Sequence, residues 1–228
     1  MQIRLAQAVA EQIRDSIIDT GMAAGEKLPT ESTLMERHQV SRSTIREAMK
    51  ILQAENIVEI RHGLGSFVAS RPGLSKDPLG LSFADPSKLL PDLMEVRLLM
   101  EPGIAHLAAD RREEADLKQM EASITEMIEA RSQGRDYHAS DFRFHIAVAQ
   151  ATHNAMVSRI FPVIVEGIER GYAQTAHIEG SFNRAVDYHR RILQAIREKE
   201  SEEAARLVQM HIRQTLKDIH EKTEGESP

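Results

Sequence analysis

The chain has 228 residues, with 29 Lys and Arg against 35 Asp and Glu, and it contains no cysteine. The missing cysteines exclude disulfide scaffolds, thiolate zinc sites, iron–sulfur clusters and cysteine nucleophiles. A hydrophobic fraction of 41% is enough for a globular core. No segment approaches the ~20 apolar residues that a membrane-spanning helix needs, and the N-terminus lacks the apolar stretch of a signal peptide. We therefore expect a cytoplasmic protein without a membrane partner.

A segment rich in proline and glycine, residues 71–80, divides the chain. This composition is typical of a linker. The charge divides at the same place: residues 1–71 carry nine basic and nine acidic side chains, whereas the whole net charge of −6 lies in residues 72–228. We predict a first domain at 1–71, a linker at 72–85 and a mainly helical second domain at 86–228.

Three helices are predicted in the first domain. The first has an apolar stripe with a spacing of four residues, formed by Leu5, Val9, Ile13 and Ile17. Thr30 is a suitable N-cap for a short second helix that ends near residue 39. The third helix opens at residues 40–44, and its predicted buried face consists of Ile45, Ala48, Met49 and Leu52.

The third helix also has a basic stripe on a different side, because Arg42, Arg46 and Lys50 are spaced at i, i+4 and i+8. Hydroxyl groups, including those of Ser43 and Thr44, crowd its N-terminus. A short helix, a tight turn and a basic helix form a helix-turn-helix pattern. Such a helix enters the major groove, where arginine reads guanine edges and hydroxyls bind phosphates or bases. An ordinary solvated helix face is the alternative reading of the stripe.

Two β-prone runs follow and flank the segment Gly63-Leu64-Gly65, which predicts a β-hairpin or wing. His62 lies near its tip, where it can reach phosphate or the minor groove. The two glycines do not form a dinucleotide-binding motif, because neither a third glycine nor a helix start follows them.

Three sequence blocks of this domain carry a family resemblance: Leu-Pro-Thr-Glu at 28–31, Val-Ser-Arg-Ser-Thr-Ile-Arg-Glu-Ala at 40–48 and Gly-Leu-Gly-Ser-Phe-Val at 63–68. They resemble the winged helix-turn-helix of the GntR family of bacterial transcription regulators. Together with the helix pattern, the resemblance implies a DNA-contacting set of Arg42, Ser43, Thr44, Arg46, Lys50, His62 and Gly63. One departure is Ser32, which stands where many members have an arginine.

Apolar residues recur at helical spacing through the second domain. This pattern predicts an antiparallel all-α bundle of about six helices. Asp141 and His145 are four residues apart and share one helix face. His189 and His211 lie on later predicted helices, beside apolar positions. One carboxylate and three imidazoles suit a divalent metal: zinc first, with nickel or manganese as alternatives. Histidines that are merely hydrogen-bonded in the core are the competing interpretation.

Further blocks, at residues 95–102, 141–145, 189–196 and 210–211, resemble the FCD-type ligand-binding domain of the FadR-like branch of that family. The resemblance implies a metal site of Asp141, His145, His189 and His211. It also implies that Arg97 binds the carboxylate of an effector. A salt bridge from Arg97 to Glu101, four residues later, is the alternative.

These features predict a ligand-responsive transcription regulator, a repressor of a carbohydrate-acid or hydroxycarboxylate pathway. It would bind a palindromic operator in double-stranded DNA as a homodimer, and a small carboxylate effector would bind at the metal. Two alternatives remain at the level of sequence. One is a metal-dependent hydrolase or isomerase that acts on sugar acids, and the other is a regulator that senses the metal itself.

Overall fold

The computed structural model describes residues 2–75, 77–172 and 180–225, and the chain forms two compact units, Met1–Pro78 and Leu79–Pro228. The division lies inside the segment that was predicted to be a linker. Within the described residues, no helix combines the length and apolar character required to cross a bilayer.

The first unit is a small helical domain with a β-hairpin. Its elements in chain order are α1 (Gln2–Asp19), α2 (Glu31–His38), α3 (Arg42–Ala54), β1 (Val58–Arg61) and β2 (Gly65–Val68). The two strands are antiparallel, with Val58 opposite Val68 and Arg61 opposite Gly65. Gly63 has a φ of 74° in the turn between them, a conformation that favours glycine. The predicted winged helix-turn-helix is confirmed.

Hydroxyl caps define where α2 and α3 begin. Thr30 Oγ1 accepts a hydrogen bond from the backbone N–H of Thr33, at 3.2 Å. Ser41 Oγ accepts one from the backbone N–H of Thr44, at 3.3 Å. Each cap satisfies a backbone donor that has no partner inside its helix. Gln39, with a left-handed φ of 53°, ends α2 and sets the tight turn before α3.

Apolar side chains from all three helices and the hairpin form one core. Its buried members are Val9, Ala10, Ile13, Ile17, Leu28, Leu34, Ile45, Ala48, Met49, Leu52, Ile57, Val58 and Val68. The prediction for the buried face of α3 is confirmed. The prediction for Leu5 is wrong, since this side chain is 47% exposed in the second turn of α1. A spacing of four residues drifts by about 40° per step around an α-helix, so Leu5 lies to one side of the face on which Ala6 and Val9 are buried.

In its described residues, 79–172 and 180–225, the second unit is a bundle of six α-helices, as predicted. They are α4 (Pro86–Arg111), α5 (Glu114–Ser132), α6 (His138–Gln150), α7 (Ala155–Tyr172), α8 (Ser181–Glu198) and α9 (Ser201–Gly225). Helix α4 packs against α9 and α7, α5 against α6, and α8 against α9. A single core runs through the bundle, and Phe144, Phe161 and Ile168 are among its fully buried side chains.

Candidate metal centre and DNA-contacting surface

Three histidines from three different helices meet inside the bundle. His145 comes from α6, His189 from α8 and His211 from α9, and their candidate ligand atoms all lie within 4.8 Å of one another. All three side chains are buried. Their rings lie 5.0 to 5.3 Å apart between centroids. The structure therefore brings the predicted histidines together from positions that are far apart in the chain.

Asp141 lies at the edge of this three-histidine cluster. Its Oδ1 atom is 3.5 Å from Nε2 of His189, and its side chain is 16% exposed. Asp141 precedes His145 by one turn of α6, so the helix places its carboxylate and the His145 imidazole on the same side. Of the four predicted metal ligands, the three histidines form the cluster and Asp141 lies beside one of them, His189.

His189 is the member of the cluster whose environment points most clearly to a ligand. It is completely buried, and among the described residues neither of its ring nitrogens has a hydrogen-bond partner. Its ring instead stacks on Phe144 at a centroid distance of 4.1 Å. A buried polar atom without a partner costs about 1–3 kcal/mol. A metal ion bound to one nitrogen would offset that cost, because it takes the lone pair that nothing else uses.

Burial also keeps the imidazoles of His189 and His211 in the form that binds metals. Burial lowers the pKa of His189 well below its ordinary value of 6.5, and His211, His145 and Arg97 lower it further. Burial lowers the pKa of His211 in the same way, with further contributions from His145 and Arg97. Both side chains are therefore neutral at pH 7, and a neutral imidazole is the form that coordinates a metal ion. Together with the imidazole of His145 and the carboxylate of Asp141, they form a donor set that fits a divalent first-row metal.

Helix α4 adds a buried ion pair beside the cluster. Arg97 and Glu101 are each only 3% exposed, and Arg97 Nε donates a hydrogen bond to Oε1 of Glu101. Oε2 of Glu101 lies 2.8 Å from Nδ1 of His145. Burial alone would raise the pKa of the Glu101 carboxyl, but Arg97 and His145 hold it far below its ordinary value. The salt bridge that the sequence left open for Arg97 is present.

The sequence pattern indicates Glu101 only as a partner of Arg97, and the structure gives it a second role. Its carboxylate also accepts the Nδ1–H of His145, an arrangement in which a second group orients a metal-ligating histidine. The spacing of Arg97 and Glu101 signals their pairing. No short spacing links Glu101 to His145, which is 44 residues further along the chain.

The basic stripe of α3 lies on its outer surface. Arg42 and Arg46 have side chains that are 61% exposed, and the Lys50 side chain is 68% exposed. Glu31, in the first turn of α2, receives a hydrogen bond from Arg46 Nε at 3.2 Å and lies 3.9 Å from Arg42 Nε. Glu47 pairs with Lys50 at 2.7 Å. The stripe is therefore accessible, and acidic neighbours hold its side chains in place.

The remaining predicted DNA contacts differ in exposure. Ser43, His62 and Gly63 are exposed, the first at the N-terminus of α3 and the other two at the hairpin turn. Thr44 corrects the prediction, because its side chain is 3% exposed and its hydroxyl lies 2.9 Å from Ser41 Oγ. It belongs to the N-terminal cap of α3 and to the core rather than to the outer surface.

Comparison with known proteins follows the same division of the chain. Residues 5–68 match the model for bacterial regulatory proteins of the gntR family, and residues 92–214 match the model for the FCD domain. The chain belongs to the GntR family and carries an FCD domain. This membership identifies a transcription regulator, so the alternative of a metal-dependent hydrolase or isomerase is not supported.

Individual relatives agree with the GntR assignment. The HTH-type transcriptional regulator LutR of Bacillus subtilis is 32% identical over 178 residues, which are 75% of this chain and 81% of that protein. The galactonate operon transcriptional repressor of Escherichia coli is 30% identical over 213 residues, covering 90% of this chain and 92% of the repressor. Among solved structures, a Streptococcus agalactiae GntR protein has a TM-score of 0.77 at 34% identity. That match covers 91% of this chain and 97% of the other.

Proposed function

We propose that this GntR-family regulator is a homodimeric repressor whose FCD domain binds a divalent metal and a small hydroxylated carboxylate. The unpartnered nitrogens of buried His189 carry the metal part of the proposal. His145, His211 and Asp141 supply the remaining donors. Zinc is the first candidate for the ion, with nickel and manganese as alternatives, since all three accept imidazole and carboxylate ligands.

The effector class follows from the charges around the cluster. A divalent ion and the Arg97 guanidinium would make the surroundings of the cluster locally positive, although the domain as a whole is acidic. A carboxylate with a neighbouring hydroxyl can chelate such an ion and pair with an arginine at the same time. The galactonate operon repressor is named for an operon of a sugar acid, which supports sugar acids or related hydroxycarboxylates as effectors here.

DNA recognition is assigned to the exposed part of the first unit. We propose that Arg42, Ser43, Arg46 and Lys50 of α3 contact bases and phosphates in the major groove, as α3 is the second helix of the helix-turn-helix. His62 and Gly63 would contact DNA at the tip of the wing. Two copies related by a two-fold axis would read the two halves of a palindromic operator in double-stranded DNA.

Operator release by candidate effectors tests this function. The probe is a DNA fragment that the wild-type protein selects from a random-sequence pool. Galactonate, gluconate and lactate would be added to the complex, with zinc present in one series and a chelator in the other. We expect at least one of these acids to release the DNA only in the zinc series.

Two other outcomes of the operator-release experiment would contradict the proposed effector site or favour a different signal. Release by an acid in both series would contradict an effector site at the metal. Release by zinc alone, with no acid, would favour the regulator that senses the metal itself. Neither outcome depends on knowing the natural operator.

A further inference from the structure

Arg97 is hydrogen-bonded to Nε2 of His145, the ring nitrogen through which His145 would bind a metal ion. Its Nη2 atom lies 3.0 Å from Nε2 of His145, and both side chains are buried. His145 Nδ1 faces the Glu101 carboxylate at 2.8 Å. An ionised carboxylate only accepts hydrogen bonds, so Nδ1 carries the proton and Nε2 carries the lone pair.

In this tautomer, Nε2 is the ring nitrogen of His145 that carries a lone pair. The Nε2 lone pair accepts a hydrogen bond from Arg97, as the structure has it, or it binds a metal ion. A single lone pair cannot do both at once. His189, by contrast, has no competing donor among the described residues.

Helix α4 holds Arg97 in a way that permits a change of partner. The Nε atom of Arg97 donates to Oε1 of Glu101, whereas a different nitrogen of the guanidinium, Nη2, makes the contact with His145. Loss of the His145 contact therefore leaves the ion pair with Glu101 in place. The Nη2 group would then donate to a new acceptor, and a carboxylate is a strong one for a charged donor.

We propose that Arg97 is an internal competitor for the metal site, and that its displacement from His145 prepares it to bind the effector. In the metal-free protein its guanidinium holds Nε2 of His145. In the metal-loaded protein Nε2 is a ligand, and the Nη2 group of Arg97 turns to the carboxylate of the effector. Metal binding thus precedes effector binding. This inference rests on the metal site of the proposed function and adds the order of events to it.

Two structures of the wild-type protein test the displacement, one of chelator-treated protein and one of protein loaded with zinc and no organic ligand. We expect the contact of 3.0 Å between Arg97 Nη2 and His145 Nε2 in the first and its loss in the second, with Nε2 bound to zinc. A loaded structure that keeps the contact, or in which His145 is not a ligand, overturns the inference. Zinc absent from the whole cluster would instead overturn the proposed function.

A zinc titration of Arg97→Lys provides a second test. Lysine keeps the positive charge and can still pair with Glu101, but it lacks the planar fork that spans both partners. Removal of the competing hydrogen bond should raise the zinc affinity by about tenfold, the value of one hydrogen bond to a charged group. Unchanged or weaker zinc binding by a folded Arg97→Lys protein contradicts competition at His145.

Arg143→Lys is the matched control for that titration. Arg143 lies on the same helix as His145, but its side chain is 52% exposed and pairs with Glu126. We expect this control to bind zinc as the wild type does. An equal gain in both variants would show a general effect of the substitution and would overturn the specific role of Arg97.

Discussion

Asp141 Oδ1 lies 3.5 Å from Nε2 of His189, although the two residues are 48 positions apart in the chain and on different helices. The distance is longer than a good hydrogen bond. It is close to the spacing of two atoms that bind one metal ion at about 2.1 Å each. The pair therefore resembles two ligands more than it resembles a hydrogen-bonded couple.

Asp141→Asn should weaken metal binding and leave the fold intact. The amide keeps the shape of the side chain but removes its negative charge, which is the main attraction of a carboxylate for a divalent ion. We expect zinc affinity to fall by at least tenfold, with an unchanged far-ultraviolet circular dichroism spectrum. Asp136→Asn, at an exposed position before α6, is the control and should bind zinc normally. Equal affinities for Asp141→Asn and wild type would remove Asp141 from the ligand set.

Glu101→Gln should destabilise the metal-free protein strongly. Glutamine can still accept the Nδ1–H of His145, but Arg97 becomes a buried positive charge without its counter-ion. Loss of one partner from a buried ion pair costs about 3–5 kcal/mol. Urea unfolding at pH 7 measures the change in free energy. Glu126→Gln, at the solvent-exposed pair with Arg143, should change it little, and similar effects for the two variants would contradict the account.

The stability of the metal-free protein should fall as the pH falls below about 6.5. The pKa values of His189 and His211 in the folded chain lie well below that ordinary value. Between the folded and unfolded pKa values the unfolded chain binds more protons, so acidification favours unfolding. Above pH 6.5 these histidines are neutral in both the folded and the unfolded chain, so they do not reduce the free energy of unfolding. Each histidine lowers the free energy of unfolding by about 1.4 kcal/mol per pH unit where the effect is steepest.

His189→Phe is the variant that isolates this effect. Phenylalanine fills a similar volume against Phe144 and leaves no buried polar atom, so the chelated protein should be as stable as wild type at pH 7 or more stable. Its loss of stability between pH 6.5 and 5 should be roughly half as steep. Thermal melts in the presence of chelator measure both quantities. A pH dependence identical to that of wild type would show that His189 does not titrate in this range.

Arg46→Ala should weaken operator binding without loss of stability. The side chain is exposed on α3 and its partner Glu31 is also exposed, so the ion pair contributes little to folding. A bidentate contact to a guanine is worth about 1–3 kcal/mol. On the DNA fragment selected by the wild-type protein, we expect affinity to fall by about tenfold or more. Arg206→Ala in the second unit is the control, and equal losses for both would contradict a reading role for α3.

The sequence was sufficient for the local features of the first unit. Thr30 and Ser41 are capping residues followed by apolar periodicity, and such signals act within a few residues. The prediction for Leu5 is wrong because a spacing of four residues drifts around the helix, away from the face that holds Ala6 and Val9. Thr44 was misjudged for a different reason. A hydroxyl at a helix N-terminus can face DNA or the cap, and only packing decides between them.

The candidate site was predictable in part. The spacing of Asp141 and His145 places both on one helix face, and family resemblance added His189 and His211. Residue spacing does not predict the contact of Glu101 with His145, because this contact depends on how α4 packs beside α6. The same holds for Arg97, whose hydrogen bond to His145 joins residues that no periodicity relates. Contacts of this kind appear only once the helices are assembled.

A calorimetric titration of chelator-treated protein with zinc tests the central claim most directly. The account predicts one zinc ion per chain for the wild type. It also predicts the loss of that binding in His189→Phe, whose fold and core packing are retained. Failure of the wild type to bind zinc, nickel or manganese, or a stoichiometry and affinity unchanged by His189→Phe, would contradict a metal centre at the three histidines.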